Sequence, residues 1–136
     1  MSNIEQTLSI IKPDAVERNL QDKIKQEFTS KNFEIMKEKK IHMSKEEAEQ
    51  FYKVHQSKPF FNDLCTYLSS GPIVVMILQR ENAVMENRKL MGSTNPLDAE
   101  EGTLRKKYGI SIDKNSVHGS DSVENAKIEL DFFFNT

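Results

Sequence analysis

The sequence predicts an α+β sandwich, an antiparallel four-stranded sheet covered by helices in a β-α-β-β-α-β order. Three observations carry that expectation. Ile73-Val74-Val75-Met76-Ile77-Leu78 is a continuous apolar run of strand length, the pattern of a central strand covered on both faces. Strand-like and helical stretches alternate, with two helical stretches between the second strand and that run. The 136 residues hold no repeat, low-complexity run or linker, so residues 1–136 are expected to fold as one domain.

The first strand is placed at Thr7-Leu8-Ser9-Ile10-Ile11-Lys12 and ends at Pro13, which forces its predecessor out of helical geometry. Asp14 is positioned to cap a short helical turn, and Ile24 to Phe28 belong to the helix that follows. The second strand covers roughly Phe33 to Met43, apolar at Phe33, Ile35 and Ile41. Its Lys37, Lys39 and Lys40 mark a solvated sheet edge, not a nucleic-acid patch. Ser44-Lys45-Glu46-Glu47 is a capping box opening a helix with Ala48, Phe51 and Tyr52. A second helix runs from about Phe60 to Leu68, and Gly71-Pro72 turns the chain into the apolar strand. Glu81 to Leu90 is helical and stopped by Gly92. A loop, Ser93 to Gly102, leads to a short helix over Thr103 to Tyr108 and an irregular stretch to Ser122. The last helix, Val123 to about Phe133, carries Ala126, Leu130 and Phe133 on one face. No segment after Leu78 announces the fourth strand.

Composition narrows the function classes. A formal net charge of -2 argues against a dedicated nucleic-acid binder. No apolar run approaches the roughly 18 residues needed to span a bilayer. The polar start, Met1 to Gln6, shows no secretory signal. Cys65 is the only cysteine, and among Phe61, Leu64 and Leu68 it reads as a buried, inert thiol. Together these features point to the cytoplasm. Met36, Met43, Met76, Met85 and Met91 read as core fillers, and His42 and His55 match no zinc spacing.

The chemistry concentrates in Asn115-Ser116-Val117-His118-Gly119-Ser120-Asp121-Ser122. His118 sits among small and polar residues. Gly119 permits backbone geometry closed to other residues and lets a ligand approach. Ser120, Asp121 and Ser122 are candidate caps for the helix just beyond, and a helix N-terminus beside an imidazole suits phosphate. The five glycines form no glycine-rich phosphate loop, so side chains must hold any phosphate. Lys12, Arg88, Thr94 and Arg105 are the candidates, arginine offering a planar, permanently charged fork. Glu129, at the edge of the last helix's buried face, is placed to fold back onto one ring nitrogen of His118. Tyr52 and Phe60 are placed to close the same pocket, with a phenol near phosphate and a ring face for a base. Taken singly, each cation also reads as a surface charge and each aromatic as a core residue. Their grouping around one histidine-bearing loop singles them out.

Six blocks extend the argument: Ile10-Ile11-Lys12-Pro13-Asp14-Ala15-Val16, Lys58-Pro59-Phe60-Phe61, Ser70-Gly71-Pro72-Ile73-Val74, Met91-Gly92-Ser93-Thr94-Asn95-Pro96, Gly102-Thr103-Leu104-Arg105 and the histidine segment. In this order, over essentially the whole chain, they resemble the nucleoside diphosphate kinases. The resemblance implies a ferredoxin-like fold and a magnesium-dependent ping-pong reaction. A nucleoside triphosphate such as ATP or GTP gives its γ-phosphoryl group to His118, and a nucleoside diphosphate collects it. It implies that Glu129 orients His118 and that Tyr52 and Ser120 hydrogen-bond around it. Arg88, Thr94 and Arg105 match phosphate ligands, and Lys12 and Asn115 match contacts to the ribose hydroxyls and neighbouring phosphate. Phe60 and Ile112 match the pair between which any base stacks. Magnesium is implied to be held mainly by nucleotide phosphates, with no protein ligand set.

The resemblance also implies a homo-oligomer, a tetramer or hexamer built from dimers, with Gly92 to Gly102 partly at subunit contacts. Phe132-Phe133-Phe134 supports this, because consecutive helical residues point about 100° apart and one ring should be covered by another element or subunit. Asn19-Leu20-Gln21-Asp22 lacks a glycine common in the family, a departure expected to affect surface packing only. The chain stops at Thr136 without the longer C-terminal segment of eukaryotic members, which favours a bacterial-type enzyme.

Two rival classes make different demands. An RNA-binding domain of similar layout needs exposed sheet aromatics and a basic surface, yet Thr7 to Lys12 and Ile73 to Leu78 hold no aromatic residue. A catalytically silent family member, binding nucleotide or nucleic acid as a regulatory module, is opposed by the presence of every matching site residue.

Overall fold

A computed structural model of the chain describes residues 4–111 and 114–134. Strands β1 (Ile4–Ile11), β2 (Glu34–Ile41), β3 (Ile73–Glu81) and β4 (Val117–Gly119) form one sheet in the order β2-β3-β1-β4. Every neighbouring pair is antiparallel, with Ile4 opposite Glu81 and Ile11 opposite Val74 in the central pair.

The apolar run is the middle of β3, and alternation along it fills both faces of the sheet. Val74, Met76 and Leu78 pack with Ile11 in one apolar cluster, beneath α1 (Pro13–Glu17), α2 (Gln21–Ser30), α5 (Ala83–Met91) and α6 (Leu104–Tyr108). Ile73, Val75 and Ile77 pack with Leu8 and Ile10 in the other, beneath α3 (Lys45–Phe51), α4 (Phe61–Leu68) and α7 (Val123–Phe134). Helices α3 and α4 both lie in the β2–β3 connection, which adds a helical pair to the β-α-β-β-α-β frame. Among the described residues no helix is long and apolar enough to cross a membrane.

Local signals act as their chemistry requires. The Glu47 N–H donates to Ser44 Oγ at 3.1 Å, and the Ser44 N–H donates to Glu47 Oε1 at 2.9 Å, closing the capping box. Cys65 is fully buried, and burial pushes its thiol pKa up. Ser122 Oγ accepts from the Asn125 N–H at 3.1 Å and caps α7, whereas Ser120 and Asp121 bond elsewhere.

Several expectations are corrected. The fourth strand is the histidine segment itself, which had read as irregular chain. Asp14 is not a cap: Lys12 holds the N-cap position of α1, Pro13 begins the helix, and the Asp14 carboxylate is buried against other elements. Asn19 takes a left-handed φ of 58°, so the missing glycine is met in the backbone, not in surface packing alone. Met36 and Met85 are exposed, at 42% and 56%, and are not core. Lys39 is more than a solvated edge residue, since its ammonium donates to the Phe133 carbonyl near the C-terminal end of α7. One expectation holds, in that other elements of the chain cover the phenylalanine triplet: Phe133 is buried, Phe134 packs on the same cluster, and Phe132 lies against Phe51 with ring centroids 5.6 Å apart.

Candidate active site

His118 opposes Ile10 on β4, and its strand exists because groups on both sides hold it. The Lys12 N–H donates to the Ser116 carbonyl at 2.8 Å, and the Leu8 N–H donates to Ser120 Oγ at 3.3 Å. Gly119 serves close approach: a Cβ there would stand 2.3 Å from Asn87 Nδ2 and 2.7 Å from Met91 Cε, both on α5. The left-handed residue of the segment is Ser116, with φ 74°, not the glycine.

The imidazole is held on two sides. His118 Nε2 lies 3.3 Å from Glu129 Oε1, which also accepts from the Ser120 hydroxyl at 2.7 Å. A carboxylate can only accept, so in the neutral ring Nε2 carries the proton and Nδ1 keeps its lone pair. The Phe51 ring stands edge-on to the imidazole, centroids 5.4 Å apart. Ser120 therefore reaches the histidine through Glu129. Tyr52 lines the same cavity and is nearly buried, and burial raises its phenol pKa strongly.

In front of His118 opens a cavity of about 820 Å³, whose lining includes Lys12, Lys58, Arg88, Lys89 and Arg105 against one carboxylate, Asp121. Five cations to one anion make it a receptor for anionic groups. Arg105, on α6 behind the Thr103 cap, donates to the Gly92 and Val117 carbonyls, each at 3.0 Å. Burial, with the nearby Arg88 charge, pulls its guanidinium pKa down to about 10, so it stays a cation at neutral pH. Lys12 Nζ donates to Asn115 Oδ1 at 3.0 Å, and Asn115 Nδ2 donates to the Thr94 carbonyl at 3.0 Å. Arg88 and Thr94 stand exposed along the rim, as does Phe60 with Lys58 Nζ 5.6 Å from its ring centroid.

Ile112 lies outside the described residues. The wall also contains groups that sequence reasoning passed over: His55, Lys58 and Asp121 in the lining, and Phe51 against the histidine. Proximity to Tyr52 along the chain was the signal available for Phe51 and His55. Among the described residues no group of three His, Cys, Asp or Glu is placed to hold a metal ion.

The sequence profile described as nucleoside diphosphate kinase matches residues 5–136. The chain belongs to the nucleoside diphosphate kinase family. The nucleoside diphosphate kinase of Geotalea uraniireducens (strain Rf4) is 54% identical over 131 residues, 96% of each chain. That of Geobacter sulfurreducens (strain ATCC 51573 / DSM 12127 / PCA) is 56% identical over 131 residues, again 96% of each chain. The crystal structure of the Aquifex aeolicus nucleoside diphosphate kinase superposes with a TM-score of 0.95 at 37% identity, covering 97% of this chain and 96% of that one. The Encephalitozoon cuniculi enzyme in its apo form gives 0.94 at 39% identity, covering 97% and 90%. The fold is the ferredoxin-like one of this family, and the chain is a phosphotransferase. The reading as a silent binding module is not favoured.

Proposed function

We propose that this enzyme transfers the γ-phosphoryl group of a nucleoside triphosphate, ATP among them, to a nucleoside diphosphate by way of phosphorylated His118. One observation carries the reading: Glu129 occupies Nε2 of an imidazole that faces a cavity lined by five cations. In the first half-reaction the Nδ1 lone pair attacks the γ-phosphorus, the bond to the β,γ-bridging oxygen breaks, and the nucleoside diphosphate leaves with that oxygen. In the second, a terminal oxygen of the acceptor's β-phosphate attacks the phosphohistidine and the imidazole departs neutral. Phosphoryl transfer asks mainly for alignment and charge neutralisation. Glu129, fixed by Ser120, supports the positive charge that develops on the ring. Arg105, Arg88, Thr94 and Lys12 line the cavity where the phosphates would lie, with Lys12 and Asn115 also toward the ribose. Tyr52 closes the wall beside the histidine.

A nucleotide kinase of this kind uses a divalent cation. We take it to be magnesium, arriving on the nucleotide phosphates. When bound it neutralises phosphate charge. The exposed Phe60 face would grip any aromatic base, as the resemblance implies together with Ile112, so the reading includes GTP and other nucleotides. We also take residues 1–136 as one cytoplasmic domain that assembles as a homo-oligomer of dimers, tetramer or hexamer. Leu97 is 83% exposed and Ile128 68%, apolar groups that a subunit contact would cover. Sedimentation should give a multiple of the 15.7 kDa chain, and a monodisperse monomer would refute assembly.

The decisive experiment incubates the protein with γ-labelled ATP alone. An alkali-stable, acid-labile label should appear on His118 and pass to added diphosphate. His118→Ala should abolish both, and retained labelling in that variant would sink the assignment.

A further inference from the structure

Lys12, Arg105 and His118 reach the cavity from three separate segments, and one buried carboxylate lies behind all three. Asp14 is only 6% exposed. Its Oδ1 accepts from the Tyr67 hydroxyl on α4, and that oxygen in turn accepts from the Asp14 N–H at 3.2 Å. Its Oδ2 accepts from the Ser116 hydroxyl at 2.7 Å and from Arg18 Nη2 at 3.0 Å. The same Arg18 nitrogen donates at 2.6 Å to the carbonyl of Tyr108, the last residue of α6. The node thus joins the start of α1, which follows Lys12, the end of α6, which carries Arg105, and the approach to β4, which carries His118.

Ser116 is the pivot. Its left-handed φ of 74° is one that a residue other than glycine keeps only where its surroundings over-determine it. Its neighbours are bonded to site groups: Asn115 accepts from Lys12 Nζ, and the Val117 carbonyl accepts from Arg105. Asp14 is not in the lining of the nucleotide cavity, so it can act only through these residues.

The geometry points to Asp14 as a positioning residue for phosphoryl transfer: with Arg18 and Ser116 it locks the left-handed turn that sets Asn115 against Lys12 and His118 toward the cavity. The inference rests on the reading of His118 as the phosphorylated residue. It predicts a defect in the rate of transfer, because small displacements of aligned groups cost rate steeply.

Rapid mixing of the full chain with γ-labelled ATP gives two readouts, the rate at which His118 is labelled and the fraction labelled at completion. Asp14→Asn and Ser116→Ala should each slow labelling about 10- to 100-fold at saturating ATP, while KM for the diphosphate acceptor changes far less than kcat. Ser116→Gly should recover much of the rate that Ser116→Ala loses, because glycine takes this backbone unaided. A merely structural role would lower the labelled fraction and leave the rate unchanged, which would overturn the proposal. Equal losses in Ser116→Ala and Ser116→Gly would overturn it too, and that pair decides the question if Asp14→Asn does not fold. Unlabelled wild-type His118 would instead overturn the nucleophile assignment, so the two failures are distinguishable.

Discussion

β2 and β4 are both edge strands, yet β2 is eight residues long and pairs with β3 from Glu34 to Ile41, while β4 has three residues and pairs with β1 over Ser9 to Ile11 only. β2 is largely exposed and is fixed by its own backbone ladder. β4 depends on side chains beyond its short ladder: Arg105 on the Val117 carbonyl, the adjacent Ser120 hydroxyl on the Leu8 N–H, and α5 side chains packed onto Gly119. A strand held by its own ladder tolerates side-chain change. A strand held by other residues' side chains places a functional group accurately, and it makes each of those side chains a point of failure.

The sharpest way to break the comparison is Arg105→Ala. Charge-assisted contacts are worth roughly 1.5–3 kcal/mol each, so if Arg105 holds the transferring phosphoryl group as proposed, its loss should cut turnover by one to two orders of magnitude. Loss of its bonds to the Gly92 and Val117 carbonyls should also speed amide exchange along β4. Unchanged turnover in a folded variant would reduce Arg105 to a structural cation.

Gly119→Ala comes next. The added Cβ would meet Asn87 Nδ2 at 2.3 Å and Met91 Cε at 2.7 Å, and Asn87 is fully buried, so a buried side chain must shift. Overpacking of this kind costs about 1–3 kcal/mol, to be read from urea unfolding. Labelling of His118 should fall with it, since α5 and β4 must part. A stability loss below about 0.5 kcal/mol would show that α5 yields freely.

Near the end of β2, Ser44→Ala removes one half of the capping box and should cost about 1 kcal/mol. Turnover per folded molecule should not change, because the bonds of Ser44 run to Glu47 and Ala48 of its own helix and Ser44 is not among the residues lining the cavity. A drop in kcat there would mean that the two edges are coupled.

The same contrast explains what the sequence reveals. Ile73 to Leu78 is legible because burial on both faces demands an unbroken apolar run. Glu129 is legible because it stands 11 residues from His118, within one strand–helix unit. The role of Asp14 is not, because its carboxylate partners Tyr67 and Ser116 lie 53 and 102 residues away, and a residue just inside a helix looks like a cap. β4 itself escapes for the same reason: three residues give no periodicity, and the groups that fix them come from β1, α5 and α6. Phe51 follows the helical pattern of α3, and beyond its place beside Tyr52 nothing local reveals that its ring meets an imidazole from the far edge of the sheet.

The smallest expected effect is a pH effect, and it belongs to the β4 side. His55 stands in the cavity wall between Tyr52 and Phe60, with ring centroids 6.0 and 6.4 Å away. Burial lowers its pKa below the ordinary 6.5, and the Lys58 and His118 sides act in the same direction, while Asp121 and Glu129 oppose them. The unfolded chain therefore binds a proton at His55 more readily than the folded one. As pH falls through the ordinary histidine range, this residue favours unfolding, and above that range its contribution vanishes. His55→Gln removes the site and leaves the other titrating groups in place. The stability of the variant relative to wild type should thus rise modestly between pH 7 and pH 5, as measured by urea midpoints in matched buffers. A difference that stays constant with pH, or falls on acidification, would mean that the folded imidazole is protonated at least as easily as in the open chain.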